Sequence, residues 1–480
     1  MNPDSGAPET FFGHGATGTV MHPFVAVAMI LAIILMLVLP RRHAVVPFLL
    51  GVFLLPIGQQ LYLGGVHFYV PRILILFGLV RIALTKLLSQ DDIVSGGWNS
   101  VDVVFFLWAI LRGSAGILRG DGNTASLLYE GGFLLDAIGG YFLLRFLIQN
   151  EESILRVVKT FAAIAAVLAV TMLNEKLLDQ NIFGYLGSLP VRSDIRVGAI
   201  RAQGPFEHSI LAGVFAATLL PFFLWLWQSR KARIAGVVGA TGCTIMVVTT
   251  ASATPLLTYL AVLLGLCFWL LRKHMRMVRW GIVAMIIALA MVMKAPVWFL
   301  ISHVDVVAGN SGYHRAMLID TCIRHFSDWW LIGTNQTLYW GFDMWDTSNQ
   351  FVAEAEAGGL AAFICFVLMI SWSFRRIGRA RKLVEGDRKQ EWFFWLLGVA
   401  LFAHIVAFFG ISYFDQTKYA WYALFAIIVV ATAPILARES AVEEHGAVEL
   451  SGTGQGLTPL TAPQSSRIRA TNLRSRELTR

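Results

Sequence analysis

Long runs of apolar residues, separated by short polar connections, constrain the fold of this 480-residue chain more than any other feature. A bilayer core is about 30 Å thick, so a helix needs about 20 apolar residues to cross it with every backbone polar group satisfied. Hydrophobic residues make up 56% of the chain and charged residues only 14%, whereas soluble domains carry about 25% charged residues. The sequence therefore excludes a water-soluble globule, a disordered chain and a coiled coil, and predicts an all-α polytopic membrane helix bundle.

We predict about twelve to thirteen transmembrane helices from these runs. The run at 45–59 is the shortest and the weakest candidate. The thirteen predicted spans lie near residues 23–40, 45–59, 67–84, 101–118, 128–148, 155–172, 208–227, 234–251, 255–271, 278–300, 351–374, 392–413 and 419–436.

The positive charges indicate how the chain is oriented in a membrane. The net charge of +8 could suggest nucleic-acid binding, but Lys and Arg cluster in alternate connections, most densely at 374–391. Positively charged connections stay in the cytoplasm. With thirteen spans, this pattern predicts an outer N-terminus and a cytoplasmic C-terminus, and we expect no nucleic-acid partner. The four cysteines have neither metal-ligand spacing nor a disulfide framework.

The organisation that we predict is one membrane domain with two long outer loops. Residues 1–22 contain no Lys or Arg, so we expect an external segment rather than a cleavable signal. The tail lacks a periodic apolar pattern, and we expect it to be disordered in the cytoplasm. The predicted segments are the external 1–22, helices in 23–172, a first outer loop 173–207, helices in 208–300, a large outer loop 301–350, helices in 351–436 and the tail 437–480.

Arginines in the two outer loops need an explanation, because the outer side should be poor in cations. They could contact lipid phosphate, or pair with Asp194 and Asp320. As a set beside a membrane they suit an anionic ligand, because guanidinium forms bidentate bonds to phosphate and keeps its charge. The loop arginines are Arg192, Arg196, Arg201, Arg315 and Arg324.

Three short motifs include or flank these arginines. The first, RAQGPFEHSILA, begins at Arg201 and leads into a span. The second, GYHRAMLID, begins at Gly312 and is followed by FSDWWLIG. The third, SNQFVAEAEAGGL, begins at Ser348. In order and spacing the three motifs resemble those of the O-antigen ligase and polymerase superfamily of bacterial membrane glycosyltransferases, over roughly residues 173–373.

The resemblance implies a metal-independent transferase of the C-type architecture, with no cofactor. Such enzymes take a glycan from polyprenyl diphosphate at the outer face of the inner membrane and move it to a hydroxyl of a glycan acceptor, beside other polysaccharide-assembly proteins. Arg201 and Arg315 match the family's arginines and are expected to hold the diphosphate. His314, Asn349, Arg196 and Arg324 are further substrate-binding candidates; at 100° per residue, Arg315 and Arg324 lie on opposite faces of one helix.

The base for the acceptor hydroxyl is where this chain departs from the ligases. The ligases resemble one another in a dyad of His followed by Asn, Ser or Gln, and nine residues separate this dyad from a Gly-x-x-Gly motif. This chain has Ser348-Asn349 before Gly359, and Ala362 replaces the last glycine. Because serine is a poor base near neutral pH, a polymerase is favoured over a ligase.

The remaining base candidates each have a structural alternative. The catalytic candidates are His208, Glu207 and Glu354, with His314 and Glu356 also open. His208 could instead cap the helix that follows it, and the two later glutamates could complement a helix N-terminus. Thr347 and Gln350 have the spacing of a capping box.

Other charged residues and other functions stay open. Asp136 and His404 fall within spans, where structural pairing is the expected role. Arg72 and Arg112 lie near outer span ends, where they could contact lipid or diphosphate. Asp343 and Asp346 form only a weak metal motif. The alternatives to a polymerase are a glycan ligase, a secondary transporter and a non-catalytic component of polysaccharide export.

Overall fold

Every one of the predicted apolar runs forms helix in a computed structural model of the chain, which describes residues 18–88, 93–120, 122–303 and 311–452. The predicted external segment therefore lies outside the described residues up to position 17, and the tail beyond position 452. The helices of the first half are α1 Pro23–Val38, α2 Val45–Leu54, α3 Val70–Leu88, α4 Ser100–Arg119, α5 Thr124–Leu134, α6 Gly140–Leu147, α7 Glu151–Leu178 and α8 Ser209–Trp227.

The second half continues the all-helical pattern. Leu436 ends the first compact unit of the chain and Ala437 begins the second. The predicted disordered tail is wrong for residues 437–452, because the last helix continues through them. The helices are α9 Arg233–Thr249, α10 Ala253–Cys267, α11 Met275–Val292, α12 Ser311–Arg324, α13 Phe326–Trp329, α14 Gln350–Leu383, α15 Arg388–Phe408 and α16 Thr417–Gly452.

Eight helical segments in the described part of the chain are long and apolar enough to cross a membrane, which makes this a multi-pass membrane protein. The count of thirteen spans is not reproduced, for physical reasons. Helices α1 and α9 are shorter, and α2 has only 10 residues. Helix α3 carries Arg72, Arg81 and Lys86. Helices α10 and α11 are joined by a 3-10 segment into one stretch of 40 residues.

The two long connections that we expected as loops contain regular structure. The first holds a 3-10 turn at Ile182–Leu186 and a hairpin of β3 Asp194–Arg196 with β4 Ala199–Arg201. The second contains α12 and α13. An earlier hairpin pairs β1 Gln60–Leu63 with β2 Val66–Tyr69 through Gly64-Gly65, whose positive φ angles suit a tight two-residue turn.

Contacts gather several connections at one end of the bundle. The side chain of Gln59 accepts a hydrogen bond from the backbone N–H of His22 and donates one to the carbonyl of Leu186, at 2.7 and 2.8 Å. The carbonyl of Pro205 accepts bonds from Ile57 N–H at 3.2 Å and from the Gln416 amide at 3.1 Å. The connections before α1, α3, α8 and α16 therefore meet.

The basic connections contact one another elsewhere. Arg41 donates to the carbonyls of Ile93 and Phe146 at 2.9 and 2.8 Å. Glu391 accepts from Arg272 and Arg381 at 3.1 and 3.0 Å. The sequence assigned these two sets of connections to opposite sides of a membrane, and each set makes contacts within itself.

Helix α14 is broken at Gly359, where φ is 69° and ψ is −172°. The break frees helix carbonyls, and neighbouring groups bind them. Arg119 donates to the carbonyls of Glu356 and Ala357 at 3.0 and 2.7 Å, and the N–H of Thr334 donates to Glu356 at 2.8 Å. A Cβ atom at Gly359 would lie 2.6 Å from the carbonyl oxygen of Leu331. Glycine is therefore required here for both the backbone angle and the space.

We expect Gly359→Ala to lower the thermal unfolding midpoint in detergent. The left-handed backbone alone costs an L-residue about 1–2 kcal/mol, and the clash with Leu331 adds to this. Gly378→Ala is the matched control in the same helix, because a Cβ atom there meets nothing within 4 Å. Equal midpoints for the two variants would contradict this requirement for glycine.

Candidate functional site

A cavity of about 610 Å³ lies where α3, α4, α5, α14 and α16 approach the gathered connections. Ile57 and the residues from Ser412 to Asp415 belong to its lining, which places it at the end of the bundle defined by Gln59 and Pro205. Aromatic side chains cover much of the wall, among them Trp108, Tyr129, Tyr413 and Trp421. Three cations also line it: Arg72, Arg112 and Lys418.

Asp136 holds two of these cations. Arg72 donates to both of its carboxylate oxygens at 3.2 Å, Lys418 donates at 2.8 Å, and the Tyr419 hydroxyl donates at 3.0 Å. The Asp136 side chain is 5% exposed, while those of Arg72 and Lys418 are 19% and 23% exposed. The predicted structural pairing of Asp136 is confirmed, and its two cations share one carboxylate while they also line the cavity.

A turn of π-helix at Leu135–Gly139 presents this carboxylate, and such turns are frequent at functional sites. The glycine pair 131–132 precedes this turn, and the pair 139–140 overlaps its end. A Cβ atom at Gly132 would lie 2.6 Å from the Arg72 guanidinium, and one at Gly140 would lie 3.1 Å from the Tyr419 ring. The paired glycines around Asp136 are thus a sequence signal for this site that did not enter our predictions.

Glu354 is the sequence-predicted candidate that lines the cavity. Its oxygens accept from Trp108 Nε1 at 2.8 Å and from Gln350 Nε2 at 2.7 Å, and Arg112 lies 3.6 Å away. Gln350 Oε1 in turn accepts from the N–H of Tyr413 at 2.6 Å. Glu354 is therefore a bound, buried carboxylate rather than a surface charge near the helix N-terminus.

The predicted capping box is wrong. Asn349, fully buried, caps α14 by accepting from the N–H groups of Phe351 and Val352 at 2.9 and 3.2 Å. The side chain of Gln350 is occupied by Glu354 and Tyr413, and Thr347 donates to Glu356 at 2.8 Å. An amide accepts the N2 and N3 hydrogen bonds as well as a hydroxyl does, so the cap lies two residues later than we expected.

Arg201 adopts the paired state that the sequence left open. It donates to Asp194 at 2.8 Å and to the Ser252 hydroxyl at 2.9 Å, and it is 4% exposed. Its predicted companion Arg196 is exposed on β3. In the described part of the chain neither residue lines the cavity.

His208 caps α8, as its structural alternative predicted. Nδ1 accepts from the N–H of Ile210 at 3.1 Å. Burial and the nearby Arg201 charge lower the pKa of His208 to about 4. The imidazole is therefore neutral near pH 7, and one of its nitrogens is already occupied.

The second motif contacts the segment that leads into the third. His314 Nε2 lies 3.1 Å from the carbonyl oxygen of Asp346. Burial raises the pKa of Asp346, and the charges of His314 and Arg315 oppose that rise. Arg315 is 8% exposed, whereas the side chain of Arg324 is 72% exposed and pairs with Asp320 at 2.6 Å. The expected opposite faces of these two arginines agree with their exposures.

Asp415 was not among the residues that we predicted from the sequence. It is fully buried, lines the cavity, and accepts from the N–H groups of Thr417 at 2.8 Å and Glu207 at 3.4 Å. Burial raises its pKa to about 6; burial and the Asp415 charge raise the pKa of Glu207 to about 7. The available sequence signal was a lone carboxylate in the short connection before the last predicted span.

The structure thus brings part of the predicted site together. Glu354 from the third motif lines the cavity, and Glu207 from the first contacts Asp415 on its wall. The described lining contains neither Arg201 nor Arg315, so it stays a prediction that these two arginines bind one diphosphate together. Within the described residues, no group of three or more His, Cys, Asp or Glu is placed to hold a metal ion.

Comparison with models of known protein families and with curated proteins finds no match. The class that the fold defines is a helical multi-pass membrane protein with a charged, aromatic cavity at one end.

We predict that Glu207→Gln stabilises the protein above pH 7 relative to pH 5. The folded state binds the Glu207 proton more tightly than the unfolded state, so wild-type stability falls as pH rises from the ordinary value of 4.5 through about 7. Glutamine removes that loss. The groups facing this carboxyl are Asp415 and Tyr69, and the neighbouring His208 titrates at lower pH.

Thermal midpoints in detergent at several pH values measure this effect as the difference between variant and wild type. Glu385→Gln, in the exposed connection between α14 and α15, is the control and should show no comparable trend. A difference that stays constant between pH 5 and pH 8 would contradict the burial of the Glu207 carboxyl.

Proposed function

We propose that this protein is an inner-membrane glycosyltransferase that polymerises polyprenyl-diphosphate-linked oligosaccharide units in surface or exopolysaccharide assembly. The observation that carries the proposal is the cavity itself, where Arg72, Arg112 and Lys418 lie among aromatic walls. Its place among the connections that the sequence predicts to be outside suits a donor presented at the outer face of the membrane.

The cations suit the leaving group of the reaction. Negative charge builds on the diphosphate as its bond to the sugar breaks, so positioned cations bind the transition state more tightly than the ground state. Arg72 and Lys418 both bind Asp136, and both also line the cavity, where a diphosphate could accept from them. Each charge-assisted hydrogen bond to the diphosphate would contribute about 1.5–3 kcal/mol.

The aromatic lining suits the glycan. Trp108 and Tyr413 are fixed by hydrogen bonds, the first to Glu354 and the second, through its backbone, to Gln350. Aromatic rings held in place offer large apolar faces at little entropic cost, and hydroxyl groups such as that of Tyr129 add polar contacts. The polyprenyl chain would remain in the bilayer beside the spans.

The reaction needs no metal or cofactor in this scheme. An acceptor hydroxyl oxygen bonds to the anomeric carbon, and the bond from that carbon to the diphosphate breaks with its electron pair leaving on the diphosphate. Arg201 and Arg315 remain proposed donor-binding residues on the strength of the three motifs. An O-antigen or protein glycan ligase, which differs in its acceptor, is the alternative within this class.

A secondary transporter is the second candidate. Discontinuous helices and buried charges near the substrate are common in transporters, and α14 is broken at Gly359 while Asp136 pairs with two cations. Transport would move the lipid-linked glycan without forming a new glycosidic bond, so product analysis separates the two functions.

We expect purified protein in proteoliposomes to convert polyprenyl-diphosphate repeat units into a ladder of lipid-linked products. Transfer only to a second lipid or protein would indicate a ligase. Unchanged repeat units moved across the bilayer would indicate a transporter. Absence of both products and movement would overturn the proposal.

Arg72→Gln should lower the rate of polymerisation by about 10- to 100-fold, the equivalent of one lost charged hydrogen bond. Asp136 keeps Lys418 and Tyr419 in this variant, so the fold should persist, as normal membrane abundance would show. Arg276→Gln, exposed on α11, is the control and should polymerise at the wild-type rate. A wild-type rate in Arg72→Gln would exclude this cation from donor binding.

Arg201→Ala and Arg315→Ala test separately whether each of these arginines binds the diphosphate, as the sequence motifs predict. Loss of glycan chain growth at normal membrane abundance is the expected result for each. Unchanged polymer after either substitution would remove that arginine from the site and leave the cations of the cavity to hold the diphosphate.

A further inference from the structure

We propose that Asp415 is the general base that takes the proton from the acceptor hydroxyl, an assignment that rests on the proposed transferase function. The sequence left the base open among other residues, and Asp415 was not one of them.

Geometry separates Asp415 from the other carboxylates of the cavity wall. Asp136 is engaged by two cations and a tyrosine hydroxyl, and Glu354 by Trp108, Gln350 and the nearby Arg112. A carboxylate held by cations is a weak base, because the charge that binds it favours its ionised form. Within the described residues Asp415 has no ion pair.

The hydrogen bonds to Asp415 hold its carboxylate in place without using all of its acceptor positions. Oδ1 accepts from the N–H of Thr417 at 2.8 Å, and Oδ2 accepts a longer bond of 3.4 Å from Glu207. A carboxylate can accept about four hydrogen bonds, so two acceptor positions remain unused. Asp415 is fully buried, so the acceptor hydroxyl reaches it by displacing the side chains that cover it. His208, which the sequence suggested as a base, is the N-cap of α8 and is not among the described residues that line the cavity.

Burial places the titration of Asp415 near neutral pH, and the hydrogen bonds from Thr417 and Glu207 and the Lys418 charge oppose that rise. The groups that face it are Glu207, Lys418 and the Tyr413 hydroxyl, and Tyr69 faces Glu207 from β2. Burial raises the pKa of Asp415 to about 6, and burial and the Asp415 charge raise the pKa of Glu207 to about 7. A base whose pKa lies close to the operating pH combines ionisation with proton affinity.

The step balances without any further reactant. Asp415 takes the proton of the acceptor hydroxyl, and the oxygen of that hydroxyl forms a bond to the anomeric carbon. The anomeric carbon–oxygen bond to the diphosphate breaks, and its electron pair leaves with the diphosphate. Water then removes the proton from Asp415 before the next transfer.

Asp415→Asn tests the assignment, because asparagine keeps an oxygen for the Thr417 N–H and loses the base. In the proteoliposome assay we expect kcat to fall at least 100-fold, with the KM for the lipid-linked donor within about threefold of wild type. The matched control is Asp387→Asn. Asp387 caps α15 through the N–H groups of Lys389 and Gln390 and lies away from the cavity, so this variant should keep wild-type kcat.

The pH profile distinguishes a base from a structural cap. Wild-type kcat/KM should rise with pH through about 6, and the residual activity of Asp415→Asn should lack that limb. Asp415→Glu, which restores a carboxylate, should recover part of the rate and regain a limb at a shifted pH. Binding of a fluorescent lipid-diphosphate analogue shows that each variant is folded.

The outcomes separate the two proposals. A wild-type protein that forms no glycosidic bond overturns the proposed function and the base with it. An active wild type together with an Asp415→Asn variant within tenfold of its kcat, or one that keeps the acidic limb, overturns only the base.

Discussion

The bonding of backbone groups at the break in α14 is the constraint on which the candidate site depends. A helix interrupted among apolar spans leaves carbonyls that must be bonded inside the protein, because an unsatisfied polar group in such surroundings costs several kcal/mol. Arg119 and the N–H of Thr334 bond the carbonyl of Glu356, and Gly359 gives the chain the room to turn. The half-helix that results carries Gln350 and Glu354 into the cavity wall.

Two buried charge networks show the difference between holding a fold and building a site. Arg145 and Asp102 are both fully buried, and Arg145 donates to Asp102 and to the carbonyls of Ser95 and Gly97, so the network is closed. The network of Asp136 is open, because Arg72 and Lys418 share that carboxylate and also line a cavity. A closed network fixes the packing of helices. In an open network, an anionic ligand can replace a carboxylate as the partner of a cation.

The sequence predicted helices well and the site only in part. Long apolar runs become helices because a segment in the bilayer core must bond its backbone polar groups within itself. Whether a run such as α2 or α3 crosses a membrane depends on its length and on its charges. Local pairings such as Arg201 with Asp194 lie close in sequence and were among our alternatives. The cavity was not predictable, because residues as distant as 57 and 422 build it. Asp415 acquires its environment only when these segments meet.

The position of the first motif explains how its residues can matter to the site without lining the cavity. Arg201 donates to Asp194 and Ser252. The chain then passes through Pro205, whose carbonyl accepts from Ile57 and Gln416, to Glu207, whose N–H donates to Asp415. This segment is tied at each step to residues before α3, α10 and α16. Through the N–H of Glu207 this segment also contacts Asp415, so the first motif holds a residue of the cavity wall in place although its arginine does not line the cavity.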